Sequence, residues 1–241
     1  MDTESIWTQR DPEPFLDENG ELIPPSETVS VLSINFDSVT SNPDKSRADE
    51  IMLLTVKNKK QPPKSREKKP PGIGLPGGGV ESKESLKHAA DRESDGEAGY
   101  KLLKIYGEVF TDHRTHINNV VRIFLAEPSD LQTSIRESDE VDPNWKNWVS
   151  LREFFSMPYA VSREGVSINP DGVYFGHVRR VIAALNNILF APAETLPKKV
   201  VDWSDDHFLP LISALNDLAE DGLIDVSVDG DHQKIEMVHR S

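Results

Sequence analysis

The chain has 241 residues, 41 acidic against 27 basic side chains, a formal net charge of −14 and a hydrophobic fraction of 37%. That is enough apolar material for one large domain, or one domain with an appendage, and the acidic balance argues against a nucleic-acid backbone as partner. There are no cysteines, which excludes disulfides, thiolate zinc sites and cysteine nucleophiles. Met1 to Pro14 is polar and acidic without the apolar run of a secretory signal, and no apolar stretch is long enough to span a bilayer. The expectation is a cytoplasmic protein with no membrane partner.

Residues 1–27 form a polar lead-in in which Phe15 to Ile23 can fold back on itself at Asn19-Gly20. Thr28 to Phe36 alternates Val29, Val31, Leu32 and Ile34 with small polar residues and reads as a strand. Asp37 to Asp49 reads as a loop, and Glu50 to Val56 as a buried strand. Lys57 to Pro71 carries seven cations and four prolines, a composition that cannot continue a helix or a central strand. It is either a solvated loop or a basic segment that draws in an anionic substrate. The glycine-rich Gly72 to Gly79 follows, then helical spacing from Ser82, a candidate N-cap, to about Asp95. Tyr100 to Phe110 and His116 to Ala126 read as strands joined by a turn at Thr111 to Thr115. Pro128 to Asn144 is an acidic loop, Trp145 to Ser150 a short strand and Leu151 to Met157 a short helix. Tyr174 to Phe190 is an amphipathic helix. Pro210 to Asp221 is another, stopped by Gly222, and Leu223 to Val228 and Gln233 to Val238 make a hairpin.

Chemistry concentrates in the middle. At roughly 100° per residue, Leu86, Ala89 and Ala90 share one helix face, and Glu93 and Glu97 continue that apolar stripe. Two carboxylates at the rim of a buried stripe repel each other and are poorly solvated unless a cation lies between them. An oxygen-only site suits magnesium, with manganese as the alternative. The bland alternative is a helix end with scattered surface acids.

The preceding Leu75-Pro-Gly-Gly-Gly79 and the register Gly78, Glu84, Arg92, Glu93, Glu97, Gly99 and Tyr100 resemble the signature G-x5-E-x7-R-E-U-x-E-E-x-G-U of the Nudix family, where U is a bulky aliphatic. Trp148 to Phe154 also resembles the strand and short helix that close such domains, so the resemblance runs from about Thr28 to Met157. It implies an α/β/α sandwich built on a mixed sheet over 28–160, followed by a helical and hairpin extension over 161–241. It implies metal-dependent hydrolysis of a nucleoside diphosphate linked to another group. Glu93 and Glu97 would be metal ligands, Arg92 would orient Glu93, and Glu84 would support that network. Gly77, Gly78 and Gly79 would bring backbone close to the phosphates of the substrate.

Two positions depart from the signature: Ser94 stands for an aliphatic and Gly96 for a glutamate. Gly96 removes a carboxylate and costs about 1 kcal/mol relative to alanine inside a helix. The departure opens a second reading, a non-catalytic nucleotide-binding or regulatory module. Glu108, Glu127, Glu137 and Glu140 are candidates for a replacement carboxylate.

Other signals are weaker. Gly72-x-Gly74-x-x-Gly77 matches a dinucleotide fingerprint, but no strand precedes it and Pro76 interrupts it. His113 and His116 have no third metal ligand nearby. His177 reads as part of a polar helix face, with an anion contact the minor alternative. A helix followed by a hairpin can be a DNA-reading winged helix, yet Val200 to Gln233 contains no Lys or Arg. A packing extension or a homodimerisation element, with Leu211, Ile212, Leu215 and Leu218 as its apolar stripe, fits better.

Overall fold

In the computed structural model, which describes residues 15–40, 45–59, 71–114, 117–136, 139–161, 168–191, 205–229 and 232–237, the centre is a mixed four-stranded sheet. Strand β1 (Ser26–Leu32) runs parallel to β8 (Asn119–Pro128), from Ser26 opposite Asn119 to Leu32 opposite Leu125. β7 (Leu102–Arg114) lies antiparallel to β8 on one side, and β6 (Gly77–Gly79) antiparallel to β1 on the other, giving the order β6-β1-β8-β7. Three irregularities in the β7–β8 register, beginning at Leu102/Lys104, bend this pair. The turn expected at Thr111 to Thr115 is therefore mostly strand.

The alternation that marks strands also assigns the layers. Val29, Val31, Phe124 and Ala126 face Ala89 and Ala90 of helix α2 (Leu86–Glu93). Leu32, Val121, Ile123 and Leu125 point the other way, into a larger core. That core is covered by α3 (Leu151–Ser156), α4 (Phe175–Phe190) and α5 (Asp205–Glu220). Helices on both faces of a mixed sheet make the α/β/α sandwich expected from the sequence. Beside it, β2 (Ile34–Asn35), β3 (Met52–Leu54) and β9 (Trp148–Ser150) form an antiparallel sheet, and β4 (Val56–Asn58) pairs with β5 (Gly72–Gly74).

Several boundaries differ from the sequence expectation for identifiable reasons. The segment before β3 is not all loop, because Ser46 caps a single turn, α1 (Arg47–Glu50). Asp217 of α5 strengthens that cap, accepting from the Ser46 hydroxyl at 2.7 Å and the Ala48 amide at 3.3 Å. α2 starts later than Ser82. Lys83 has a φ of 69°, which no helix continues, and the cap is Ser85, whose hydroxyl accepts from His88 N. α5 begins at Asp205, ahead of Pro210. The expected fold-back at the start is present: Leu16 bridges Leu22 around Gly20, and Asp17 accepts the Asn19 and Glu21 amides. Most of the basic stretch, 60–70, lies outside the described residues.

The C-terminal elements share the main core. Val181 and Leu185 of α4, Leu211, Leu215 and Leu218 of α5, and Ile224 and Ile235 of the hairpin β10 (Ile224–Asp229) and β11 (His232–Met237) pack with Leu32, Leu53 and Ile123. Asn186 pins the hairpin to α4 by donating to Ile235 O at 2.8 Å and accepting from Ile235 N at 2.7 Å. No described helix is long and apolar enough to cross a membrane.

Candidate active site

α2 does not run regularly through Glu97. From Ser94 to Ala98 the chain adopts a π-turn, with i→i+5 bonding, that ends where Gly99 takes a left-handed φ of 76°. Such widened turns are rare and gather at functional sites. The straight-helix projection is therefore corrected within the segment that departs from the family signature. Gly99 serves a second purpose, since a Cβ there would meet Thr133 O at 2.6 Å.

The π-turn buries every residue it contains. Glu93 and Glu97 are only 5% and 4% exposed. Their carboxylates meet neighbouring residues of β6. Gly77 N donates to Glu97 Oε2 at 2.8 Å. A Cβ on Gly78 would lie 2.6 Å from the carboxylate carbon of Glu93, so glycine is required for Glu93 to approach the strand this closely. Residues 77–79 form the edge strand of the central sheet.

Arg92 ties this arrangement together. Its guanidinium donates to Glu93 Oε1 at 2.6 Å, to both oxygens of Glu84 at 2.9 and 3.0 Å, and to Gly79 O at 2.8 Å. The hydrogen bonds from Arg92 hold the Glu84 carboxyl well below its usual range, at about 2, and those from Glu84 push the Arg92 guanidinium further up. Both groups are charged at neutral pH. Glu84 also accepts from Glu81 N at 3.0 Å, which fixes the turn entering α2.

Glu93, Glu97, Arg92, Glu84 and Gly77 to Gly79 are thus brought into one hydrogen-bonded or contacting group, although residue 97 lies on irregular backbone. Among the described residues no cluster of three or more His, Asp or Glu is arranged to hold a metal ion. The donor set nevertheless fits a hard cation, because magnesium binds through one or two carboxylates and completes its shell with water and substrate phosphate. The suggested replacement carboxylates have other partners where they are described. Glu108 accepts from Arg122 and Thr111, and Glu127 accepts from Tyr106; Glu137 lies outside the described residues, and the main-chain carbonyl of Glu140 accepts from Lys59 N. His113 is an exposed residue of β7, and His116 lies outside the described residues.

Tyr174 and His177, at the start of α4, were not evident as neighbours of this site. His177 does not sit on an outward polar face: its Nδ1 accepts from Leu75 N at 2.9 Å, which leaves the proton of the neutral ring on Nε2. Both rings lie against β5, where a Cβ on Gly74 would come within 2.8 Å of His177 Nδ1 and 3.1 Å of Tyr174 Cδ2. Glycines that mimic a dinucleotide fingerprint are therefore room for two rings from α4. Burial pushes the Tyr174 hydroxyl up to about 12; a hydrogen bond with the Asn58 side chain opposes this and the negative charge of Glu97 adds to it. Only the pattern of small residues at 72 and 74 hinted at such a contact, and it could not name the partner.

A mixed sheet between helices, with paired buried carboxylates on a helix end against a glycine edge strand, defines a class of fold and site that the family comparison identifies. The NUDIX domain model matches residues 19–168, more than half of the chain. The chain belongs to the Nudix hydrolase family, whose members generally use divalent metal ions. No curated protein matches it. Among solved structures it is similar to the NUDIX domain of Shewanella oneidensis NrtR complexed with ADP-ribose, at 16% identity over 71% of this chain and 93% of that one, TM-score 0.45. It is also similar to the MutT protein of Methanosarcina mazei Go1, at 20% identity over 69% and 96% of the two chains, TM-score 0.41. A MutT NUDIX hydrolase from Burkholderia pseudomallei is 19% identical over 59% and 94%, TM-score 0.39.

Proposed function

We propose that this protein hydrolyses a nucleoside diphosphate linked to another group, with magnesium or manganese held by Glu93 and Glu97. The observation that carries the reading is the pair of buried carboxylates set against consecutive residues of one strand, Gly77 and Gly78. When bound, the cation supplies positive charge for the diphosphate oxygens and lowers the pKa of a coordinated water. The remaining roles belong to the chain. Arg92 fixes the rotamer of Glu93, and Glu84 holds Arg92 in place through a two-point ion pair. Gly77, Gly78 and Gly79 keep side chains out of the space beside the carboxylates, so that phosphate can approach the backbone. Tyr174, neutral at physiological pH, adds a hydroxyl close enough to sense the charge of Glu97.

The reaction is tested by screening nucleoside diphosphate derivatives for monophosphate or phosphate release with magnesium and with manganese. Metal-dependent release that disappears in Glu93→Gln is the expected result; unchanged turnover in that variant rejects the assignment.

A second reading, a non-catalytic nucleotide-binding or regulatory module, is favoured by one feature: Gly96 stands where the signature has a glutamate. Calorimetry separates the readings, because nucleotide binding without product formation supports the second and absence of nucleotide affinity rejects both. A cytoplasmic location and a homodimer remain part of the proposal, to be checked by fractionation and by sedimentation.

A further inference from the structure

The last carbonyls of a helix have no intrahelical partner, and here one segment collects several of them. Arg136 N donates to Gly96 O at 3.0 Å, and Thr133 N donates to Gly99 O at 2.6 Å. Gln132 Nε2 donates to Ala98 O at 3.2 Å, a carbonyl that Asn147 Nδ2 also reaches at 2.7 Å. The same segment takes hold of a charged side chain of the turn that has no place in the family signature, Asp95. Its carboxylate is almost fully buried and accepts from the Thr133 hydroxyl at 2.9 Å and from the Arg136 guanidinium. Arg136 itself is 66% exposed. A buried carboxylate is held here by a cation from an acidic surface loop, one residue from Gly96 and two from Glu97.

Glu97 has no regular helix to aim it. Its backbone belongs to the π-turn, which Gln132, Thr133, Arg136 and Asn147 bind from outside. We propose that Arg136 is a positioning residue for the cation site: by gripping Asp95 it keeps residues 132–136 seated on the π-turn, and the seated turn holds Glu97 against Gly77. This rests on the reading of Glu93 and Glu97 as cation ligands. Supporting contacts of this kind matter because they fix the orientation of a ligand before the metal arrives, and their loss commonly weakens metal binding by about 10- to 100-fold.

Charge and positioning predict opposite signs, which makes the test sharp. Arg136 is a cation near a cation site, so removing it by charge alone would tighten metal binding. If it positions Glu97, its removal weakens binding. Manganese is titrated calorimetrically into the full-length wild type, Arg136→Ala and Arg136→Lys, with amide hydrogen exchange followed over residues 94–100. The expected result is about tenfold weaker manganese binding in Arg136→Ala, faster exchange across the turn, and an intermediate affinity in Arg136→Lys, which keeps the charge but not the fork. Equal or tighter binding in Arg136→Ala overturns the proposal. Should that variant fail to fold, wild-type affinity in Arg136→Lys overturns it instead. A wild type that binds no manganese removes the cation site itself, and the proposal with it, whereas a wild type that binds and an Arg136→Ala that binds equally well removes only the role of Arg136.

Discussion

At Gly78 the missing side chain is what allows a buried carboxylate to lie against the strand. Any Cβ there would collide with Glu93, so Gly78→Ala must displace either the strand or the acid. The expected outcome is a loss of manganese affinity of at least about tenfold with a smaller change in thermal stability; calorimetry and a melting curve check it together. Ser94 presents the opposite case. It occupies a position where the signature has an aliphatic, it is fully buried, and its Oγ finds no hydrogen-bond partner among the described residues. A buried hydroxyl left without a partner costs about 1–3 kcal/mol. Ser94→Ala is expected to stabilise the fold by about 1 kcal/mol, read as a higher urea midpoint with an unchanged slope. A lower midpoint would show that the hydroxyl has a partner that matters.

At the scale of elements, the entrance to α2 is held by charge and its exit by borrowed hydrogen bonds. The Arg92–Glu84 pair has a sign that can be worked out. Glu84 titrates at about 2 in the folded chain against an ordinary 4.5, because Arg92 binds its ionised form. A depressed carboxylate stabilises the fold above its ordinary value, and that contribution fades as pH falls through the folded value. The stability difference between wild type and Glu84→Gln is therefore expected to be full above pH 4.5 and to shrink as the pH approaches 2. A difference that does not change across this window would falsify the assignment. The N-terminus of α1 offers a second test. Asp217 reaches it from α5, so Asp217→Ala should cost about 1 kcal/mol, the usual worth of a cap, although the two residues are far apart in the chain.

At the scale of the whole molecule, the C-terminal helices and hairpin are not appended to a finished core. Leu211, Leu215 and Leu218 are buried with Leu32, Leu53 and Ile123 in one cluster. Truncation before α5 would uncover that face, and the expected product is a poorly soluble chain that binds hydrophobic dyes. A truncated protein that melts cooperatively near the wild-type temperature would show that the remaining core closes by itself. The shared core also seats α4, whose start brings Tyr174, beyond the segment that resembles the family, against Gly72 and Gly74.

The box residues were legible because their chemistry depends on spacing along one helix and one strand. Glu84, Arg92, Glu93 and the glycines interact within a short stretch of chain, so a spacing that resembles the Nudix signature suffices to name them. The same resemblance implied a sheet covered by helices on both sides, and the two buried faces of β1 and β8 are what the structure shows. What sequence could not supply were contacts whose partners are distant and whose geometry is irregular. Gln132, Thr133, Arg136 and Asn147 satisfy carbonyls at the end of the π-turn that have no partner within the helix, and no periodicity encodes those contacts. The rings of Tyr174 and His177 need the bare backbone of Gly72 and Gly74, yet those glycines by themselves match a nucleotide-binding pattern equally well. The box spacing determined the family and singled out Glu93 and Glu97. Tertiary packing decided where the second carboxylate points, because that direction is set by hydrogen bonds from another part of the chain.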